Sequence, residues 1–187
     1  MLVALNKPFG YLSQFTEEIN SKWRPLADLN LPKNIYPIGR LDADSEGLLL
    51  LSDEAHLTRK ILPPDQKQPK VYWAQVEGNP SRLSLEKLQK GVVIQKYQTL
   101  PCRAKHINPP TLWDREPPIR YRRSIPDSWL EIELKEGKNR QVRRMTASIG
   151  YPTLRLIRMR VGGFTLPELA PGEWAPLSNE DRKRLLP

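Results

Sequence analysis

LEIELKEGKNRQVRRMTASIG, Leu130 to Gly150, changes its hydrophobic period halfway along, and that change decides the fold class. Leu130, Ile132 and Leu134 alternate with Glu131, Glu133 and Lys135, which predicts a strand with one face on the core and one in water. Glu136, Gly137 and Lys138 turn the chain. Val142, Met145 and Ile149 then recur at helical spacing, with Asn139 as the expected N-cap and Gly150 just past the end. Arg140, Arg143 and Arg144 fall off the apolar stripe.

Outward from this stretch the same two periods recur. Leu2 to Leu5 reads as a buried strand, ended by the loop of Asn6, Lys7, Pro8 and Gly10. Ile35 to Ile38 and Leu48 to Ser52 are further apolar runs, and the Arg40 to Glu46 segment between them is a loop carrying Asp42, Asp44, Ser45 and Glu46. A short helix is predicted over Glu54 to Leu62, closed by Pro63 and Pro64. Val71, Trp73, Gln75 and Glu77 alternate with Tyr72, Ala74 and Val76 in a strand. Ser81 opens another helix, with Leu85 and Leu88 inward and Gly91 as its stop. Thr153 to Val161 has strand composition, but Leu154 and Leu156 share parity with Arg158 and Arg160, which predicts a bulge or a strand leaving the core. Short strands mixed with helices, without an internal repeat, make an α+β domain.

The length of 187 residues suits one domain or two small lobes sharing a sheet. Leu2 to Leu5 is interrupted at once by Asn6 and Lys7, unlike an export signal, so a cytoplasmic location is expected. The longest aliphatic run, Leu48 to Leu51, is far short of the roughly 20 residues a bilayer span requires. Cys102 is the single cysteine, and His56 and His106 are the only histidines, so neither an internal disulfide nor a Cys/His zinc cluster is expected.

Charge narrows the partner. The formal net charge is +9, and Asp114 to Arg160 holds 12 basic and 6 acidic residues. Between Gly137 and Pro167 there is no Asp or Glu, while Lys138, Arg140, Arg143, Arg144, Arg155, Arg158 and Arg160 all fall there, which predicts a positive face. Arginine's planar fork suits phosphate and stacking on bases, so nucleic acid outranks a membrane surface as the partner. Proline is unusually frequent at 19 residues, and five of them lie between Pro109 and Pro126. Trp113, Tyr121 and Trp129 there sit beside Arg115, Arg120, Arg122 and Arg123. Such a basic-aromatic loop is what unpaired bases stack upon, although aromatics that merely pin a surface excursion to the core would give the same pattern.

Gly39, Arg40, Leu41 and Asp42 set a carboxylate beside a cation in a loop between two strands. An adjacent arginine favours the ionised form, and such an aspartate can act as nucleophile or proton acceptor. Taken alone, an aspartate in a loop is more often a turn or cap residue.

Three ordered motifs resolve that ambiguity: LNKPFG at Leu5 to Gly10, GRLDADSEGLLLLSDE at Gly39 to Glu54, and LKEGKNRQVRRM at Leu134 to Met145. Together they resemble the motifs of the RsuA-type ribosomal RNA pseudouridine synthases. The likeness continues through KVYWAQVEG at Lys70 to Gly78, GYPTLRLIR at Gly150 to Arg158 and PGEW at Pro171 to Trp174. PPIRYRRSIPDSWL is further similar to members that act on 23S ribosomal RNA.

The resemblance implies a mixed, mainly antiparallel sheet flanked by helices, with a catalytic cleft across its middle and no cofactor. It implies one catalytic domain over residues 1–187, in two sub-lobes, without the N-terminal S4 domain that many relatives carry. The implied reaction breaks the bond from ribose to N1 of a flipped uracil, turns the base and rejoins it through C5. The implied catalytic residues are Asp42, Tyr72 packing on the base, and Arg143 pairing with Asp42. Arg40 stacks or holds backbone where the base was, Leu134 walls the uracil, and Arg144 meets phosphate. Lys138, Asn139, Arg140 and Gln141 stand at a helix start that favours phosphate. Arg122 and Arg123 add to RNA binding from the basic-aromatic loop. The expected partner is 23S ribosomal RNA in domain V near the peptidyl-transferase centre, bound by a monomer. Alternatives are a synthase for 16S ribosomal RNA or transfer RNA, and a non-catalytic RNA-binding assembly factor.

Overall fold

The structure is a computed structural model that describes residues 1–62, 68–119 and 124–185. Eleven strands and four α-helices follow one another along these residues, with one 3-10 helix at Leu26–Asp28. They are β1 (Leu2–Lys7), β2 (Tyr36–Pro37), β3 (Glu46–Ser52), α1 (His56–Ile61), β4 (Lys70–Glu77), α2 (Arg82–Lys90), β5 (Val93–Ile94) and β6 (Tyr97–Gln98). β7 (Arg103–Ile107), β8 (Asp127–Leu134), α3 (Gln141–Ser148), β9 (Thr153–Val161), β10 (Phe164–Thr165), β11 (Trp174–Pro176) and α4 (Asn179–Leu185) complete the order. The fold is α+β with a mixed sheet. No helix of the described residues is long and apolar enough to cross a membrane. The chain divides into two compact units, one of Met1–Gln68 with Ile157–Pro187 and one of Pro69–Leu156.

In the first unit β1 lies between two antiparallel partners, β3 and β11, and β3 pairs in parallel with β9. Every residue of β1 and β3 is buried, because a strand covered on both faces has no solvent side to accommodate alternation. The two continuous aliphatic runs in the sequence are this pair. Gly47 makes the close approach to β9 possible: its φ is +98°, and a Cβ there would stand 2.4 Å from the Arg158 carbonyl oxygen. Gly47→Ala is therefore expected to destabilise the protein by about 3 kcal/mol, combining left-handed strain with overpacking. Urea unfolding checks this, and a midpoint equal to that of the parent would show that β3 and β9 can part without cost.

In the second unit β8 is central, antiparallel to β4 from Lys70↔Leu134 to Glu77↔Asp127 and to β7 from Arg103↔Glu133 to Ile107↔Trp129. The predicted alternation holds. Leu130, Ile132 and Leu134 are buried with Ala74, Val76, Leu85, Leu88, Val142 and Met145, so α2 and α3 cover this face. The other face is charged, with Lys105 Nζ 3.0 Å from Glu131 and the Trp73 indole N–H donating to Glu131 at 3.2 Å. Ser81 caps α2 by accepting from the Ser84 amide, and Gly91 ends it at φ +92°.

β9 departs from the expectation. It runs without interruption from Thr153 to Val161, and four consecutive residues, Arg155 to Arg158, are buried. The broken parity marks buried arginines rather than a bulge. Arg155 is 7% exposed and donates to the Trp113 carbonyl at 3.0 Å, its guanidinium 5.7 Å from the Trp113 ring centroid. Arg158 is 5% exposed and donates through Nε to the Leu48 carbonyl at 2.8 Å. Both cations are thus withdrawn from the positive face that the run of like charge predicts. Trp113 is likewise tied to β9, as an aromatic pin for the proline-rich segment.

Candidate active site

The Asp42 loop is built by turns and plugs on the first unit. Gly39 adopts φ +76°, a left-handed conformation that glycine reaches without strain, so glycine suits the turn. Arg40 is exposed, Leu41 is buried, and Asp42 is half-buried. Alternation along three residues therefore sinks Leu41 as an anchor and leaves the aspartate at the surface.

Six backbone groups between Arg40 and Ser45 are bonded. The Leu41 N–H donates to Ser13 Oγ at 2.9 Å and Ser13 Oγ donates to the Leu41 carbonyl at 2.7 Å. The Arg40 carbonyl accepts from Arg158 Nη1 at 3.4 Å, the Asp42 carbonyl from the Ser45 N–H at 3.0 Å, and the Ala43 carbonyl from the Gly10 N–H at 2.8 Å. Lys7 is fully buried below, where its Nζ donates to the carbonyls of Pro8 and Tyr11 at 2.8 Å and of Ala43 at 3.4 Å. Burial pushes the Lys7 ammonium down to about 7, against the pull of Glu46, Asp44 and Asp42 and with a push from Arg158. Two buried cations thus hold a carboxylate-bearing loop from beneath.

The second unit presents the other candidates. Tyr72 lies on β4 opposite Ile132 and packs against the core cluster. Leu134 is a member of that cluster, buried with Ile132 and Val142. Arg143, on α3, donates through Nη1 to the Thr153 carbonyl at 3.3 Å. The turn before α3 is organised by a buried carboxylate: Glu136 accepts from the Tyr97 hydroxyl at 2.6 Å, the Leu100 N–H at 2.8 Å and the Gln141 amide. Lys138 stands over the Tyr97 ring, its Nζ 4.4 Å from the centroid.

Two expectations about this turn need correction. Asn139 is not the N-cap. Arg140 occupies that position with φ +51°, and Asn139 Oδ1 accepts instead from Arg144 Nη2 at 2.8 Å. Gln141 is 4% exposed, and its Oε1 accepts from the Lys138 N–H at 2.9 Å. It therefore shapes the turn and has no surface to offer a phosphate. Lys138, Asn139 and Arg140 are exposed, and Arg144 is half-buried. Arg122 and Arg123 lie outside the described residues. Among the described residues no group of three or more His, Cys, Asp or Glu could hold a metal ion.

Sequence reasoning missed Lys7, Ser13, Glu136 and Arg158. Lys7 reads as a turn residue, and one serine in YLSQF has no pattern to mark it. The parity break in β9 was the available signal for Arg158.

The sequence model of the family described as RNA pseudouridylate synthase matches residues 1–148, which include both the Asp42 loop and the whole of α3. The chain belongs to this family. A ribosomal large subunit pseudouridine synthase E of Xanthomonas campestris is 51% identical over 175 residues, 93% of this chain and 94% of that protein. The protein of the same description from Vibrio vulnificus is 50% identical over 95% of this chain and 75% of its own length. A solved structure described as a pseudouridylate synthase superposes with a TM-score of 0.81 at 23% identity, covering 99% of this chain and 73% of that one, which shows the fold. As a pseudouridine synthase the protein is an isomerase: the bond from ribose C1′ to N1 of uracil breaks, the same base rejoins C1′ through C5, C5 gives up its proton and N1 takes one up, without net hydrolysis or change of oxidation state.

Proposed function

We propose that this pseudouridine synthase modifies a uridine of large-subunit (23S) ribosomal RNA, in domain V near the peptidyl-transferase centre, with Asp42 as its catalytic residue. The observation that carries the substrate is the half-identity over nearly full length to a protein described as acting on the large ribosomal subunit. The observation that carries the residue is the Asp42 loop, a carboxylate left at the surface on a backbone bonded at Arg40, Leu41, Asp42 and Ala43. A binding module would gain nothing from an anion so held toward a polyanion. In this reading Tyr72 packs on the flipped base and Arg143 is the third catalytic residue. Arg40, Lys138, Asn139, Arg140 and Arg144 contact the RNA backbone or the space left by the base, and the enzyme acts as a monomer.

The test is a pseudouridine map. Unmodified 23S and 16S transcripts and transfer RNA are treated with the protein, labelled with carbodiimide and read by reverse transcription. A new stop in domain V of 23S RNA is expected, and stops confined to 16S or transfer RNA would overturn the substrate. The electrostatic half of the proposal has its own check. Replacing Arg122, Arg123 and Arg140 together by glutamine is expected to weaken RNA binding and to reduce the slope of log K against log salt by roughly one for each phosphate no longer neutralised. Filter binding across salt concentrations measures it, and an unchanged slope would place the RNA elsewhere.

A further inference from the structure

We infer that Ser13 is a positioning residue for the isomerisation, setting the backbone from which Asp42 projects; this rests on the reading of Asp42 as catalytic. Ser13 is a buried polar side chain that the reaction itself does not call for. Its hydroxyl uses both of its capacities on one residue, accepting from the Leu41 N–H at 2.9 Å and donating to the Leu41 carbonyl at 2.7 Å. Leu41 lies between β2 and β3 and has no ladder partner of its own, so these are the bonds that fix its conformation. Leu41 immediately precedes Asp42. A rotation of either peptide at Leu41 would swing the carboxylate, and Ser13 blocks both.

The clamp is itself held. On either side of Ser13 the backbone pairs with the segment that returns along it, Leu12 N–H donating to the Arg24 carbonyl at 2.8 Å and Leu26 N–H to the Gln14 carbonyl at 2.8 Å. Tyr11 and Arg24 form a parallel bridge there, and the Arg24 guanidinium stands 4.9 Å from the Tyr11 ring centroid. A hydroxyl on a strap anchored at both ends is a fixed point. Arg158 also restrains the first of these peptides through the Arg40 carbonyl, and the remaining bonds to the loop fall on Asp42 and Ala43, beyond the second. Displacing a reacting group by about 1 Å costs on the order of 100-fold in rate, even when binding is untouched.

The experiment compares the parent with Ser13→Ala, Ser13→Cys and Asp42→Asn. The readouts are single-turnover release of tritium from [5-³H]uridine in 23S transcript and in large subunits from a strain lacking the gene, the Kd for the transcript, and Tm. Ser13→Ala is expected to lose about 10- to 100-fold in first-order rate with Kd within twofold. Ser13→Cys, whose thiol is a weak donor and acceptor of nearly the same size, is expected to fall between. Wild-type turnover by Ser13→Ala beside an inactive Asp42→Asn would overturn the positioning role and leave Asp42 standing. Turnover by Asp42→Asn would overturn the catalytic reading, whatever Ser13 does. A rate loss in Ser13→Ala that disappears at temperatures well below its Tm would assign Ser13 to stability alone. Should the alanine variant not fold, the same comparison is made with Ser13→Cys.

Discussion

Asp42→Asn is expected to stop isomerisation, lowering the single-turnover rate by at least about 10³-fold, while the Kd for 23S RNA stays within a few-fold. The substitution is nearly isosteric, so the loop should keep its shape. Its geometry is set by Ser13, Arg158, Gly10 and Lys7 through backbone groups, none of which involves the Asp42 side chain. The variant lacks the negative charge and basicity that a nucleophile or a proton acceptor must have. Removing such a group costs roughly 10² to 10⁴ for acid–base work and more for a nucleophile. Affinity behaves differently, because removing an anion beside a polyanion cannot weaken phosphate binding. Tritium release from C5 of the target uridine and filter binding on the same RNA separate the two. Turnover near wild type would remove Asp42 from the chemistry, whereas equal losses in rate and affinity would point to a damaged loop.

How much of this was legible in the chain depended on whether a residue's neighbours lie close in sequence. The strand and helix of Leu130 to Ser148 were legible because period and burial are local properties. The Ser81 cap and the Gly91 stop were legible for the same reason. The α3 cap was not, because the αL backbone at Arg140 is set by Glu136 and Gln141, and Glu136 is in turn held by Tyr97 and Leu100 from a different hairpin. The charge run overstated the positive face because a one-dimensional count cannot tell a solvated arginine from one whose donors are taken by the carbonyls of Leu48 or Trp113. Candidate residues with chemical labels, Asp42 and Tyr72, came from motifs. The groups that hold the Asp42 loop, Ser13 and Lys7, are visible only through carbonyls that the fold brings together from residues far apart in the chain.

Lys7 is one of those groups, and it makes the stability of the first unit depend on pH in a direction opposite to that of a lysine held by an ion pair. The ordinary lysine value is 10.5, and burial brings Lys7 to about 7. Between these limits the unfolded chain carries a proton that the folded chain has released. The unfolded state therefore binds more protons, and stability must rise with pH through the interval, by up to about 5 kcal/mol across it. Below about 7 both states are protonated and the contribution is flat. The expected result is that the unfolding free energy of the parent, minus that of Lys7→Met, grows by roughly 1.4 kcal/mol per pH unit from about 7.5 to 9. Taking the difference removes groups that titrate alike in both proteins. Urea denaturation at half-unit steps measures it, and parallel curves would mean that Lys7 keeps its proton as any exposed lysine does. Because Lys7 also reaches the Ala43 carbonyl beside Asp42, the same titration exchanges an ammonium for an amine beneath the loop. A rising stability curve accompanied by an unchanged single-turnover rate over that range would show that the amine holds the loop as well as the ammonium does.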